Sequence, residues 1–244
     1  MVHLWDSFSM YSCDKELKLF NKAYTFDRAD SIKYQIEYKP NFYIKYIGKL
    51  QKEIEYDLCF IGKFTPARLS VINKILSQSE RAGIRYFIIL WPAYKILFHN
   101  YLIYLFLKII NFHSAWTKDY QLHYEANERL LKEKFVVENK MNFEEVQSHF
   151  QSSNVILDLP FERQTGFTHR VIEALANGKK VITSNSGIKN ERFYNPEQIH
   201  ILDNHNPLVD CKWIKKKLEF PVDNYFKELE LSVWIKSIID VRIA

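Results

Sequence analysis

Short apolar runs alternate with helical patterns along the chain from Tyr56 onward. Tyr56–Ile61 and Ile84–Trp91 are mainly apolar runs that stop at Gly62 and Pro92, which predicts two buried strands. Between them, Pro66–Ser77 carries apolar residues at helical spacing and predicts a helix that covers the sheet. Alternation of this kind is typical of βαβ units, so the strands should be parallel.

The same alternation continues through the second half of the chain. Further strands are predicted at Phe135–Glu138, Asn154–Leu159, Lys180–Thr183 and Gln198–Leu202. Helices are predicted at Asn142–Phe150, in the segment that ends at Ala176, and as two helices after Asn206, the last of them Tyr225–Ile239. The predicted fold class is therefore α/β, a Rossmann-like open parallel sheet with helices on both faces.

The first 55 residues follow a different pattern. Val2–Trp5, Ala23–Phe26 and Tyr38–Tyr43 predict short strands with helices between them, which is too little chain for an independent α/β domain. We expect the apolar pieces at Val2–Trp5 and Tyr38–Tyr43 to lack partners to bury against, and therefore to favour a homo-oligomer or aggregation. The predicted division is residues 1–55 as a remnant of a larger domain, 56–205 as a Rossmann-like domain, and 206–244 as helices that pack back onto it.

The composition and the charge of the chain limit the kinds of partner that it can bind. A chain of 244 residues with 47% hydrophobic content can bury a sizeable core. The net charge of +5 is spread along the chain, with one compact cluster at Lys212 and Lys215–Lys217. On a helix such a cluster is more typical of a solvated end than of a nucleic-acid footprint, so a nucleic-acid partner is disfavoured. Phosphates of a small ligand or of a membrane surface remain compatible with the charge.

The cysteines and the N-terminus favour a cytoplasmic protein. Cys13, Cys59 and Cys211 lie far apart and show no CxxC spacing, which fits a reducing compartment and predicts no zinc site. The N-terminus has no basic segment followed by an apolar run and a small-residue cleavage site, so no secretory signal is predicted.

One apolar stretch, Tyr94–Phe112, bears on membrane contact. His99, Asn100 and Lys108 interrupt it, which disfavours a transmembrane span. A buried helix is the favoured interpretation. The alternative is an interfacial helix that makes peripheral contact with the inner face of the cytoplasmic membrane, since aromatic residues and a lysine suit a lipid surface.

Candidate binding residues follow the predicted strands, because open parallel sheets bind ligands beyond the carboxyl ends of their strands. Three polar patches lie there: Gly62, Lys63, Thr65 and Arg68 after the first strand; Glu162, Arg163, Gln164, Thr165, Gly166 and Thr168 after Asn154–Leu159; and Ser184, Asn185 and Ser186 after Lys180–Thr183.

The patch after Asn154–Leu159 is the most informative. A turn that contains Gly166 leads directly into a helix, and the unpaired N–H groups of a helix start attract anions such as a diphosphate. Arg170 and Glu173 lie three positions apart on one helix face, where arginine would neutralise phosphate and glutamate would accept hydrogen bonds from ribose hydroxyls. An ordinary capped helix with a surface ion pair explains the same residues and stays open as an alternative.

These residues carry a resemblance to a known family. The run QTGFTHRVIEALANGKKVITSN, followed by FYNPEQIHILD, resembles the donor-binding region of bacterial GT-B glycosyltransferases that build lipopolysaccharide and capsule. The upstream pieces LWDSF, TFDRAD and YDLCFIGKFTPAR resemble the interdomain region and first C-terminal strand of that group, so the resemblance covers most of the chain.

The resemblance implies transfer of a sugar from a nucleotide-sugar donor to a glycan or lipid-linked acceptor, without a tightly bound metal or other cofactor. Leaving-group stabilisation by positive groups would be the main chemical contribution. The residues implied to bind the donor are Gly62, Lys63, Arg68, Gln164, Thr165, Gly166, Thr168, Arg170, Glu173 and Asn185.

The sequence departs from the family pattern in two ways. Many retaining members place two glutamates eight positions apart here, but the residue eight before Glu173 is Thr165. The chain also begins at what resembles the end of the first of two domains, so most of the acceptor domain has no counterpart and no catalytic base is assigned. The alternative is therefore an inactive nucleotide-binding module, or a shortened product that needs a partner chain. We expect the isolated chain to fold but to be weak or inactive as a catalyst.

Overall fold

The structure is a computed structural model. It describes residues 1–10, 14–45, 53–91, 102, 105, 106, 137, 140–161, 163–217 and 223–239. The first part contains strands β1 (Val2–Leu4), β2 (Ala23–Thr25) and β3 (Glu37–Tyr38), with helices α1 (Asp14–Leu17) and α2 (Arg28–Tyr34) between them. The three strands are parallel and lie in the order β1-β2-β3.

A second parallel sheet follows. Its strands are β4 (Tyr56–Lys63), β5 (Tyr86–Trp91), β6 (Ser153–Asp158), β7 (Lys180–Thr183) and β8 (Ile199–Ile201). The α-helices after β3 whose bounds the structure describes are α3 (Pro66–Arg81), α4 (Phe143–Gln151), α5 (His169–Ala176), α6 (Cys211–Lys215), α7 (Asn224–Glu228) and α8 (Leu231–Ile239). The strand order is β5-β4-β6-β7-β8.

Hydrophobic cores on both faces of the five-stranded sheet confirm the predicted fold class. One core joins the sheet to α3 and α6 through residues such as Ile72 and Ile214, both fully buried. The other joins it to α4, α5, α7 and α8 through residues such as Val171 and Trp234. Burial on both faces is why these strands appear as continuous apolar runs rather than alternating ones.

Most predicted elements of this sheet are confirmed to within two residues, but the predicted break at Gly62 is wrong. β4 continues through Gly62 to Lys63, because its pairing with β5 extends to the end of both strands. Of the predicted strand Phe135–Glu138 only Val137 is described, and its N–H donates to Leu90 O of β5.

The predicted single helix Tyr225–Ile239 is two helices, α7 and α8. The interruption lies where the chain forms a bridge with the N-terminal part: Tyr43 N–H donates to Leu229 O, and Leu231 N–H donates to Tyr43 O. Local periodicity cannot show a break of this kind, because its cause lies almost 190 residues away along the chain.

The N-terminal part packs against the rest of the described chain. Tyr24, Phe26 and Tyr43 are 3%, 2% and 7% exposed, so the expectation that Tyr38–Tyr43 lacks partners is wrong. In Val2–Trp5 the result is mixed. The ring of His3 packs edge-on against Trp234 at 4.8 Å, whereas Trp5 remains 55% exposed.

The apolar stretch Tyr94–Phe112 lies outside the described residues except for Leu102, Leu105 and Phe106, which are helical. The choice between a buried and an interfacial helix therefore stays a prediction. In the part of the chain that the structure describes, no helix has both the length and the apolar character needed to cross a bilayer.

Candidate functional site

The carboxyl edge of the five-stranded sheet opens between its two central strands. β4 pairs with β5 as far as Lys63 and Trp91, but its register with β6 ends at Cys59 and Ile156. The strand order also changes direction here, because β5 lies on one side of β4 while β6, β7 and β8 lie on the other. Such a topological switch point is where open parallel sheets bind their ligands.

Arg170 joins the ends of β4 and β6, which do not pair with each other beyond Cys59 and Ile156. Its Nη1 donates to Asp158 Oδ1 at the end of β6, and its Nη2 donates to Ile61 O of β4, both at 2.9 Å. The guanidinium lies 5.1 Å from the ring centre of Phe60, and a Cβ at Gly62 would come within 3.3 Å of Nη2. The residue predicted to neutralise a phosphate therefore lies at the switch point, where it also ties β4 to β6.

Arg68, in the first turn of α3, places a second guanidinium at this edge. Its Nε donates to Leu159 O at 2.7 Å, its Nη1 donates to Lys63 O at 2.8 Å, and it lies 4.1 Å from the ring centre of Phe161. Burial, together with the charge of Arg170, lowers the pKa of Arg68 from 12.5 to about 10, so the group is charged at neutral pH. No carboxylate among the described residues forms an ion pair with it.

Asp158 is the centre of the site and was missed by the sequence reasoning. It is 1% exposed, and besides Arg170 it accepts hydrogen bonds from Thr168 Oγ1 at 2.8 Å and Thr183 Oγ1 at 2.9 Å. The signal in the sequence was an acidic residue at the end of a mainly apolar strand, because a buried carboxylate needs hydrogen-bond or ion-pair partners. Among the residues that the structure describes here, the guanidinium groups of Arg68 and Arg170 face the single carboxylate of Asp158, so the described groups carry net positive charge.

The start of α5 has no side-chain cap, although Val171 N–H donates to Thr168 O at 3.1 Å. Thr168 occupies the N-cap position but makes no side-chain cap, because its hydroxyl is directed to Asp158 instead. The first N–H groups of α5 therefore have no side-chain acceptor from Thr168, and they lie at the carboxyl edge of the sheet next to Arg170. Unpaired N–H groups and the helix dipole favour an anion at such a position.

The turn before α5 is held by the N-terminal part of the chain. Thr165 Oγ1 donates to Asp27 Oδ2, and the N–H groups of Thr165 and Gly166 donate to Ser7 Oγ at 3.2 and 3.4 Å. A Cβ on Gly166 would overlap the ring of Phe26, chiefly at Cε2. The absence of a side chain at Gly166, which was predicted to bind the donor, is thus explained by the close approach of the Phe26 ring.

The remaining predicted residues surround this turn or the end of β4. Asn185 Nδ2 donates to Thr165 O at 2.9 Å, so the loop after β7 contacts the turn before α5. Lys63 is exposed at the end of β4, and Gln164 is half-buried. Glu162 lies outside the described residues. Except for Glu162, the three predicted polar patches therefore meet at one edge of the sheet.

Glu173, one turn after Arg170, is largely buried. Burial raises the pKa of its carboxyl from 4.5 to about 7, while a nearby amide, that of Gln147, and the charge of Arg170 act in the opposite direction. Gln147 is 3% exposed, and its Nε2 makes no hydrogen bond of normal geometry among the described residues. The largely buried carboxyl of Glu173 and the buried amide of Gln147 therefore lie next to each other.

Replacing Glu173 by glutamine is expected to change the pH dependence of stability. Because the folded pKa of about 7 exceeds the ordinary 4.5, the free energy of unfolding should fall as pH rises from about 4.5 to 7. At about 1.4 kcal/mol per pKa unit, the loss should be on the order of 3 kcal/mol. Glu173→Gln should remove this slope and be the more stable protein at pH 8.

Urea unfolding between pH 4.5 and 8.5 measures this effect. Glu197→Gln is the matched control, because Glu197 is exposed and its substitution should leave the pH profile unchanged. Parallel profiles for wild type and Glu173→Gln would show that Glu173 does not titrate in this range.

Comparison with known proteins gives this chain no family. No protein-family model matches the sequence, and no curated protein matches it significantly. Within the described residues, no group of three or more His, Cys, Asp or Glu side chains is arranged to hold a metal ion. What the fold and the site define together is a class: a Rossmann-like α/β protein in which Arg68, Arg170 and Asp158 meet at the switch point of the sheet.

Proposed function

We propose that this chain binds the nucleotide part of a sugar nucleotide at the switch point, as the donor-binding half of a GT-B-type glycosyltransferase. The observation that carries the proposal is the combination of two guanidinium groups, one carboxylate and the uncapped start of α5 at one edge of the sheet. A diphosphate supplies the negative charge that this arrangement lacks.

In this proposal the diphosphate lies against the first turn of α5. Arg170 and the exposed Lys63 neutralise the charge of the diphosphate. Arg68, which is buried, adds to the positive potential at the same place. The ribose lies towards Glu173 and Gln147, since a vicinal diol both donates to a carboxyl oxygen and accepts from an amide. Negative charge that develops on a departing nucleoside diphosphate would be stabilised by the same groups.

The runner-up is a nucleotide-binding module that does not catalyse alone. It is favoured by Thr165, which stands where many retaining enzymes of the resembling family have a glutamate and whose hydroxyl is committed to Asp27. Assays of sugar-nucleotide hydrolysis and of transfer to a glycan acceptor separate the two. Robust multi-turnover transfer by the purified chain excludes the module, whereas binding without turnover supports it.

Calorimetry with a panel of nucleoside diphosphates tests the binding proposal. We expect at least one to bind, and Arg170→Ala to weaken binding by about 1.5–3 kcal/mol, as for hydrogen bonds to charged groups. Because Arg170 also pairs with Asp158, its variant needs a thermal unfolding measurement to show that it is folded at the titration temperature.

Lys63→Ala gives an independent test, since this side chain is exposed and its removal should spare the fold. It should weaken binding by about 0.5–1.5 kcal/mol. Lys227→Ala, an exposed lysine on α7, is the matched control and should bind as wild type does. Unchanged affinity in both the Arg170 and the Lys63 variants would place the nucleotide elsewhere.

A further inference from the structure

The turn before α5 is tied to the N-terminal part of the chain by a hydrogen-bond network that is buried at Ser7, Asp27 and Gly166, whereas Thr165 is exposed. Asp27 and Ser7, which are 1% and 0% exposed, belong to the N-terminal part, and Thr165 and Gly166 belong to the turn. We call these four residues the latch.

Asp27 uses its two carboxylate oxygens for different tasks. Oδ1 accepts from Ala29 N at 2.9 Å and from Asp30 N at 3.4 Å, which caps the start of α2. Oδ2 accepts from the hydroxyls of Ser7 and Thr165. The carboxylate therefore joins a fixed helix start on one side to the turn on the other.

Ser7 links Asp27 to the backbone of the turn. Its Oγ donates to Asp27 Oδ2 and accepts from the N–H groups of Thr165 and Gly166. With its only hydrogen directed to Asp27, the oxygen lone pairs of Ser7 are left facing the two N–H groups. The carboxylate of Asp27 thus orients the hydroxyl that holds the turn.

We infer that Asp27 is a positioning residue for the turn before α5. Its carboxylate holds Thr165 and Gly166 where the first N–H groups of α5 face the switch point, without itself touching a ligand there. The N-terminal part would then be a working component of the proposed nucleotide site. This consequence for affinity depends on the function proposed above, whereas the hold on the turn does not.

Asp27→Asn tests the inference with little change in shape. The amide oxygen can still accept from the fixed backbone donors of α2, but the amide nitrogen that replaces Oδ2 cannot accept from Ser7 and Thr165. NMR-detected hydrogen exchange in nucleotide-free protein should show faster exchange of the Thr165 and Gly166 amides. The expected increase is about 3- to 10-fold, equivalent to the net contribution of one hydrogen bond.

Asp30→Asn is the matched control. Asp30 is 6% exposed in the same helix, and its carboxylate accepts from Phe8 N at 2.7 Å within the N-terminal part. This variant should leave exchange at Thr165 and Gly166 unchanged relative to a core amide such as Val181, which pairs with Gln198 O. The comparison separates loss of the latch from general destabilisation of the N-terminal part.

Thr165→Val gives a second variant that removes one latch donor and spares Asp27. It should also speed exchange at Gly166, and the effect of Asp27→Asn should be smaller in the Thr165→Val background than in wild type. If Asp27→Asn leaves Thr165 and Gly166 exchange at the wild-type rate, or changes it no more than Asp30→Asn does, the inference is overturned.

Nucleotide titration of the same variants tests the link to binding. Asp27→Asn should weaken affinity for the nucleoside diphosphate that binds wild type by about 3- to 10-fold, and Asp30→Asn should not. Faster exchange with unchanged affinity would overturn the positioning role. If no nucleoside diphosphate binds the wild-type chain, the proposed function fails, while the exchange measurement still decides whether Asp27 holds the turn.

Discussion

Asp158→Ala is expected to lower the free energy of unfolding by about 3–5 kcal/mol, the cost of removing one partner from a buried ion pair. Asp158 is 1% exposed and its partner Arg170 is 16% exposed, so the guanidinium would lose its counter-ion in a position where water replaces it only in part. The hydroxyls of Thr168 and Thr183 would lose their acceptor as well. Chemical denaturation at pH 7 measures the loss.

Asp57→Ala is the control for this substitution. Asp57 also pairs with an arginine, but Arg85 is 54% exposed, so the loss should be nearer to about 1 kcal/mol. An Asp158→Ala loss no larger than that of Asp57→Ala would show that Asp158 does not hold the switch point together. We also expect Asp158→Ala to abolish any nucleotide binding at temperatures where it is folded, because Arg170 and the start of α5 lose their common anchor.

Phe26→Ala is expected to cost about 3–5 kcal/mol, as is usual for a fully buried aromatic side chain. Phe26 is 2% exposed, and its ring lies directly against Gly166 of the turn before α5. If the first 45 residues were only loosely attached, the same substitution would have little effect on the unfolding of the five-stranded sheet. Thermal and urea denaturation, followed by tryptophan fluorescence, distinguish these outcomes.

Gly166→Ala makes the Phe26 test specific. In the wild-type background the added Cβ overlaps the Phe26 ring and should cost about 1–3 kcal/mol. In the Phe26→Ala background the ring is gone, so the same change should cost much less. Additive losses would indicate that the two residues do not meet, and that the N-terminal part does not pack on the turn as described.

Much of the fold could be predicted from local pattern, because both faces of the five-stranded sheet are buried. Strands such as Lys180–Thr183 and helices such as Pro66–Arg81 are marked by continuous apolar runs and by helical spacing. The same logic predicted which edge of the sheet would carry the polar patches, since the carboxyl ends of parallel strands share one edge.

The sequence by itself therefore determined the fold class, the order of the main elements and the edge at which Lys63, Arg170 and Asn185 meet. Only the tertiary structure decided what these groups do, because their partners lie far away along the chain. Asp158 binds the guanidinium of Arg170, which the sequence analysis predicted to neutralise a phosphate. Asp27 binds Thr165, which lies 138 residues away along the chain. Local periodicity records which face of an element is buried, but not which distant residue covers it.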